Sequence, residues 1–432
     1  VSARQGLWLL AMLCSSLVLD SEPAQAQDRP DSDSYTIDAL VDQALRDNPD
    51  LAAARAEVEA AKGRLTQAGL RPNPMLELGG QKAISPDNSV TVGVTLPLDL
   101  NGRKAGRVGV AERDLEVKRA QLADRERRLS AEVRMKAADL LAARRDLQVT
   151  DELLSVNREA LNLLRERTRQ GAIPPLEENL LLVEVNRLDA GRRLLESRSE
   201  IFGLQLRALV GLPAESPFSL AGALEPAGPL PERGAALSQA VERRPDLRAA
   251  RADEALARAR VGKEEAEGRW DASVSVGYQR QEMGFGLNGL TDRGGTRPIQ
   301  DTFHYFGGGV SITLPVRNQN QGNVAAARAE AVAADRRVEL AALVVRQEVA
   351  SAFTQYDAAR RSLEIYARGV RDVARQNLDV VRRTYQLGRA TLLDVIGEQR
   401  RYIEIEMGYT EALKQVYAAW VEVDRAIGGT AR

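Results

Sequence analysis

The chain has 432 residues, 28% of them charged and only 4% aromatic, with a formal charge of -1. So even a balance offers no cationic surplus to neutralise phosphates, which argues against nucleic acid as a partner. With one Cys (Cys14) and one His (His304), a Cys/His zinc cluster and a Cys-His nucleophilic pair across the mature fold are both hard to assemble, which argues against catalysis, a bound metal or a cofactor.

Residues 1–26 read as a signal peptide: Arg4, an apolar run over 7–19, then Ala24-Gln25-Ala26 as a small-x-small cleavage site. Cys14 follows Leu13, where a lipoprotein signal needs a small residue, so it belongs to the removed leader. No later stretch is apolar and long enough for a transmembrane helix, so any membrane crossing must use strands.

A first repeat is expected over 27–211: a helix, strands at about 72–81 and 89–98, a long helix at about 103–170 and a return helix at about 174–210. Val90, Val92, Val94 and Leu96 alternate with polar or small residues, the period-two signature of a strand, and Met75 to Gly79 alternate more faintly. Ser85-Pro86-Asp87-Asn88 is a turn. The long helix carries Val108, Leu115, Leu122 and Leu129, then Val133, Leu140, Leu147, Leu154 and Leu161 at seven-residue spacing, the step of four being a stutter. Gly171 ends it as a C-terminal cap, and Pro174-Pro175 opens the return helix, where missing amide protons are tolerated.

A Pro-rich linker (212–233) leads to a second repeat over 234–429: a helix, strands at about 270–281 and 302–316, a long helix at about 322–387 and a return helix at about 391–427. Val274, Val276 and Tyr278 share one strand face, as do Val310, Ile312 and Leu314, and Met283 to Arg297 between them is a loop of turn formers. Its long helix holds the heptad Val324, Ala331, Val338, Val345, Ala352, Ala359, Tyr366, Val373, Val380 and Leu387, which requires a left-handed supercoil. Seam residues are small or β-branched as often as Leu, suiting helices side by side in a tube, with a plain fibrous coiled coil as the other reading. His304 is expected at the surface.

The halves match in order. Pro49-Asp50-Leu51-Ala52-Ala53-Ala54-Arg55-Ala56 returns as Pro245-Asp246-Leu247-Arg248-Ala249-Ala250-Arg251-Ala252, and Thr95-Leu96-Pro97-Leu98 as Thr313-Leu314-Pro315-Val316. Gln170-Gly171 answers Leu387-Gly388, and Val210-Gly211 answers Ile427-Gly428. The chain is therefore a tandem duplication. Four strands of roughly membrane-crossing length cannot close a barrel, since an open edge in lipid leaves backbone groups unpaired. Three copies would supply twelve strands, within the range of outer-membrane barrels. The other reading is a small soluble sheet appended to a helical bundle.

These landmarks resemble the TolC-type outer-membrane efflux family. The resemblance rests on the duplication, the strand-ending Leu96-Pro97 and Leu314-Pro315 pairs, and Tyr385-x-x-Gly388 followed by Asp394. Arg71-Pro72-Asn73-Pro74-Met75-Leu76 and Arg317-Asn318-Gln319-Asn320-Gln321-Gly322 look like the cobalt-zinc-cadmium resistance branch. The resemblance implies a mainly α chain with a β-barrel portion: a homotrimer whose 12-stranded barrel in outer-membrane lipid continues into a long periplasmic α-helical barrel. It implies a passive duct rather than an enzyme, working with a periplasmic adaptor and an inner-membrane pump of the resistance-nodulation-division type, with divalent heavy-metal ions as first cargo. Gln170, Gly171, Ala172, Leu387, Gly388 and Arg389 would form the tip that the adaptor touches. Asp394 falls on the position of an acidic constriction ring, where three carboxylates would raise one another's pKa; a helix-capping role is the other reading. A second family Asp is Gly397 here, with Glu398 as its substitute. Tyr385 would join the constriction or fill the core, and Arg389 would pair or sit in solvent. A periplasmic coiled-coil adaptor without a barrel, and a duct for organic compounds or secreted polypeptide, stay open.

Overall fold

The computed structural model describes residues 34–84, 87–226 and 228–429; the expected signal peptide, Cys14 and the Ser85-Pro86 corner lie outside the described residues. The first half runs β1 (Ser34–Tyr35), α1 (Ile37–Asp47), α2 (Pro49–Ala68), β2 (Met75–Lys82), β3 (Asn88–Pro97), α3 (Arg103–Arg169) and α4 (Pro175–Leu209). After β4 (Ser219–Leu220) come α5 (Arg233–Arg243), α6 (Pro245–Glu267), β5 (Asp271–Leu290), β6 (Thr296–Thr313), α7 (Gln321–Ile365), a π-helical turn (Tyr366–Val370), α8 (Arg371–Gln386) and α9 (Leu392–Ile427). The fold is mainly helical with a small antiparallel sheet.

Each half opens with two helices rather than the one expected, because Pro49 and Pro245 cannot continue the helix before them. Asn48 caps α2 by accepting from the amides of Asp50 and Leu51 at 2.9 and 3.1 Å, and its own amide donates to the Leu209 carbonyl at 2.8 Å. In the second half Arg244 occupies the matching corner and donates to the Ala426 carbonyl at 3.3 Å. The duplication thus fixes the end of each return helix onto the start of its own half, by different chemistry.

Four helix ends repeat one device. After α3, Ala172 N–H donates to the Arg167 carbonyl and Gly171 N–H to that of Thr168; after α8, Arg389 bonds Thr384 and Gly388 bonds Tyr385. The ends of α4 (Leu212 to Arg207, Gly211 to Ala208) and α9 (Gly429 to Asp424, Gly428 to Arg425) do the same. These paired bonds need a left-handed residue. Gly171, Gly388, Gly211 and Gly428 supply it at φ of 68°, 70°, 75° and 84°.

The sheet order is β2-β3-β5-β6, antiparallel throughout, so β2 and β6 are open edges. Directly paired residues share a face. One face carries Leu76, Leu78, Val90, Val92, Val94, Leu96, Val274, Val276, Phe306, Val310 and Ile312. It is apolar and largely bare of protein contacts: Leu78 is 72% exposed and Phe306 84%. Tyr278 lies toward one end of this band, level with Val92 and Phe306, with Arg280, His304 and Lys82 beyond it. His304 is exposed, its Nδ1 2.6 Å from the Tyr278 hydroxyl. The opposite face carries Ser89, Thr91, Thr95, Ser273, Ser275, Gln279, Gln281 and Ser311 with several glycines, and among them Met75, Phe303 and Tyr305.

The loop expected over Met283 to Arg297 is instead a continuation of the hairpin. β5 runs to Leu290 and β6 starts at Thr296, with a register shift between Phe285 and Asn288, so only Thr291 to Gly295 turn. Gly284, Gly286 and Gly289 signal a loop in isolation, yet a paired strand tolerates glycine where it bulges.

At ~1.5 Å per residue the 67-residue α3 is on the order of 100 Å long. Its seam is inward: Leu115, Leu129, Val133, Leu140, Leu154 and Leu161 are buried. One core joins α1, α3, α4 and α9 around Leu40, Val133, Leu140, Leu206 and Trp420. Nearer the Gly turns, Leu154 and Leu161 pack with Leu181, Leu188, Leu392 and Ile396.

The second-half seam departs from expectation at the π-helical turn. Through Ala359 the heptad faces inward, but Val373, Val380 and Leu387 are 50%, 60% and 74% exposed, and Ala374 and Leu378 are buried instead. A π turn accommodates one extra residue, and one residue rotates the following helix by about 100°. Tyr366 at its start lies against Gly408 of α9, where a methyl group would sit 2.7 Å from the hydroxyl. Arg371 at its end pairs with buried Glu406 at 2.7 Å and lies over the Tyr409 ring.

Candidate functional site at the helical tip

The two Gly turns bring the ends of both hairpins to one end of the molecule. Gln170, Gly171, Ala172, Leu387, Gly388 and Arg389 are all exposed there. Their backbone is set by the paired helix-ending bonds, so the side chains are free of structural duty. Tyr385, one turn before Gly388, donates from its hydroxyl to Glu177 Oε2 at 3.1 Å, tying the α8 end to the first turn of α4. Burial, reinforced by the Glu177 carboxylate, pushes the Tyr385 hydroxyl pKa up. It stays a neutral donor across physiological pH.

Asp394 begins α9 as part of a reciprocal cap. The Thr391 hydroxyl accepts from the Asp394 amide at 3.3 Å, while Asp394 Oδ2 accepts from the Thr391 amide at 2.8 Å and from its hydroxyl at 2.7 Å. These donors, the hydroxyl foremost, hold the Asp394 carboxyl below the usual range in the single chain. Asp394 is also exposed, so the capping role does not remove its charge from the surface. Glu398, one turn on, is largely buried, and its Oε2 accepts from Arg401 at 2.9 Å. The two acidic residues therefore occupy different surroundings, one facing solvent and one turned into the helix packing.

Two participants were hidden from sequence reasoning. Glu177 has an ordinary first-turn signature, and nothing local says that Tyr385, 208 residues away, will reach it. Glu184, 1% exposed, is gripped by Arg187 at 2.6 Å and Arg400 at 2.7 Å, which pins α9 to α4 behind the tip. Burial opposes its charge, but the two guanidiniums prevail and its pKa is lowered. Among the described residues no group of three His, Cys, Asp or Glu side chains could hold a metal, and no helix is long and apolar enough to cross a membrane.

A duplicated chain with two capped helical hairpins at one end and a two-faced, open-edged sheet at the other has a recognisable counterpart. The chain belongs to the family of outer membrane efflux proteins, whose model matches residues 40–201 and 236–429. It is similar to the cobalt-zinc-cadmium resistance protein CzcC of Cupriavidus metallidurans, 25% identical over 397 residues, covering 91% of this chain and 90% of the relative. It is 28% identical over 444 residues to outer membrane protein OprJ of Pseudomonas aeruginosa, covering 94% and 87%. Its fold matches that of CusC, solved in a study of folding and transmembrane channel formation, with a TM-score of 0.73 at 17% identity over 91% and 92% of the two chains. Membership places the protein in the outer membrane, with the long hairpins as its periplasmic extension.

Proposed function

We propose that three copies of this chain form the outer-membrane channel of a tripartite efflux system, a passive duct from an inner-membrane pump and a periplasmic adaptor to the cell exterior. The observation that carries this reading is the sheet: an apolar face with Tyr278 toward one end, a more polar face behind it, and two unpaired edges at β2 and β6. Inside lipid each unpaired backbone group costs several kcal/mol, so the edges must pair with those of other copies, and three copies give an even-numbered barrel of twelve strands. The helices support association with further copies. Val373 and Val380 on α8 with Leu387 just after it, and Leu176 and Val183 on α4, form exposed apolar rows at seven-residue spacing, the form a neighbouring helix fills.

The tip residues around Gly171 and Gly388 are the proposed adaptor contact, and three Asp394 carboxylates the proposed constriction. Divalent heavy-metal ions are the first cargo, supported by the likeness to a cobalt-zinc-cadmium resistance protein. Deleting the gene is expected to sensitise cells to zinc, cadmium or cobalt; sensitisation to detergents and dyes alone would reassign the duct to organic compounds. In planar bilayers Asp394→Ala should weaken block by trivalent cations from the periplasmic side. Unchanged block would remove Asp394 from the constriction.

A further inference from the structure

Where all four strands pair, the polar face of the sheet carries one charged side chain, Glu77. Asp271 lies on the same face at one end and Asp301 and Arg297 on the two-stranded hairpin at the other, while Lys82 and Arg280 lie on the apolar side. Asp271 is neutralised by Arg103 at 3.2 Å. Glu77 meets no cation: its carboxylate is exposed and has only a long hydrogen bond, 3.4 Å, from the Thr95 hydroxyl.

The register makes this carboxylate more prominent. Glu77 pairs with Gly93, Gly93 with Gly277, and Gly277 with Gly307, so one row across all four strands holds a single side chain and three bare backbones. The carboxylate lies over Gly93, where an added methyl would sit 3.9 Å from Oε2. Nothing in the row covers or competes with the charge.

We infer that Glu77 sets the ionic preference of the barrel: three copies place three carboxylates at one level of the lumen, making the outer-membrane segment cation-selective independently of the tip. This rests on the trimeric-barrel reading, in which the polar face lines the lumen. A fixed charge acts over about 10 Å at 0.1 M salt and about 30 Å at 0.01 M, so the preference should be stronger in dilute salt. Glycine neighbours widen the lumen at this level, which favours passage of cations that keep their hydration shells.

The test is the reversal potential of single channels in a KCl gradient, measured on full-length protein in the Asp394→Ala background so that tip carboxylates do not dominate. With Glu77 present the channel should favour K⁺ over Cl⁻. Glu77→Gln should lower that ratio on the order of twofold or more in dilute salt, and Glu77→Lys should move it toward anions. Trimeric, conducting channels whose selectivity ignores residue 77 would overturn the inference and leave the barrel standing. No conductance from any variant, with no oligomer, would remove the barrel reading and this inference together.

Discussion

Single residues hold this molecule in shape at its corners. Gly211 has φ of 75°, and a methyl group there would meet the Asp47 carbonyl oxygen at 2.6 Å. Gly211→Ala should therefore destabilise the protein by ~1–3 kcal/mol through both strain and collision, read as a lower midpoint of thermal unfolding in detergent. Gly171→Ala has the same backbone strain but open space around it, so its loss should be smaller. Asp146 in α3 is a different case. Burial pushes its carboxyl pKa up to about 6, against the opposing pull of the Thr410 hydroxyl and of Arg198 and Arg145, with Glu411 adding to the rise. A raised acid pKa means the folded state binds the proton more tightly than the unfolded one. Stability from this group therefore falls as pH climbs from about 4 to about 6 and is flat above that. Asp146→Asn should stabilise the protein at pH 7.5 by on the order of 1 kcal/mol, less than the full shift implies because water screens a half-buried carboxylate, and by nothing near pH 4. Equal effects at both pH values would contradict this assignment.

Among the elements, the π-helical turn is the one that most changes what the sequence suggests. Through Tyr366 the heptad is read correctly, because the long helix follows its own apolar seam. Beyond it two seams were available, Val373-Val380-Leu387 and Ala374-Leu378, and both are apolar. Only the fit of Tyr366 beside Gly408 and of Arg371 onto Glu406 selects the second. Deleting Arg368 should convert the π turn into ordinary α-helix and leave Ala374 and Leu378 buried, because the turn absorbs one residue. Hydrogen exchange of α8 and α9 should then be unchanged or slower; fast exchange throughout α8 would mean the turn does more than absorb a residue. The duplication, the Gly turns and the strand alternation were legible because caps, turns and period-two faces are local signals. The hairpin beyond Met283 was not, since its glycines look like a loop until a partner strand is present. The same division runs through the site. Gly388 and Asp394 are marked by short-range pattern, whereas the Tyr385–Glu177 bond and the withdrawal of Glu398 depend on packing between hairpins distant in sequence.

At the scale of the whole molecule, one chain is an incomplete object. Its sheet has two raw edges and an apolar face, and α4 and α8 expose apolar rows on the side away from their own core. Both ends point to the same proposed remedy: a neighbouring copy would pair its β6 with β2 and cover the exposed rows on α4 and α8. The most direct test is the mass of the detergent-extracted particle by native mass spectrometry. Three chains in one particle, held together without cross-linking and lost from solution when detergent is withdrawn, is the expected result. A monodisperse single chain that remains soluble without detergent would contradict it.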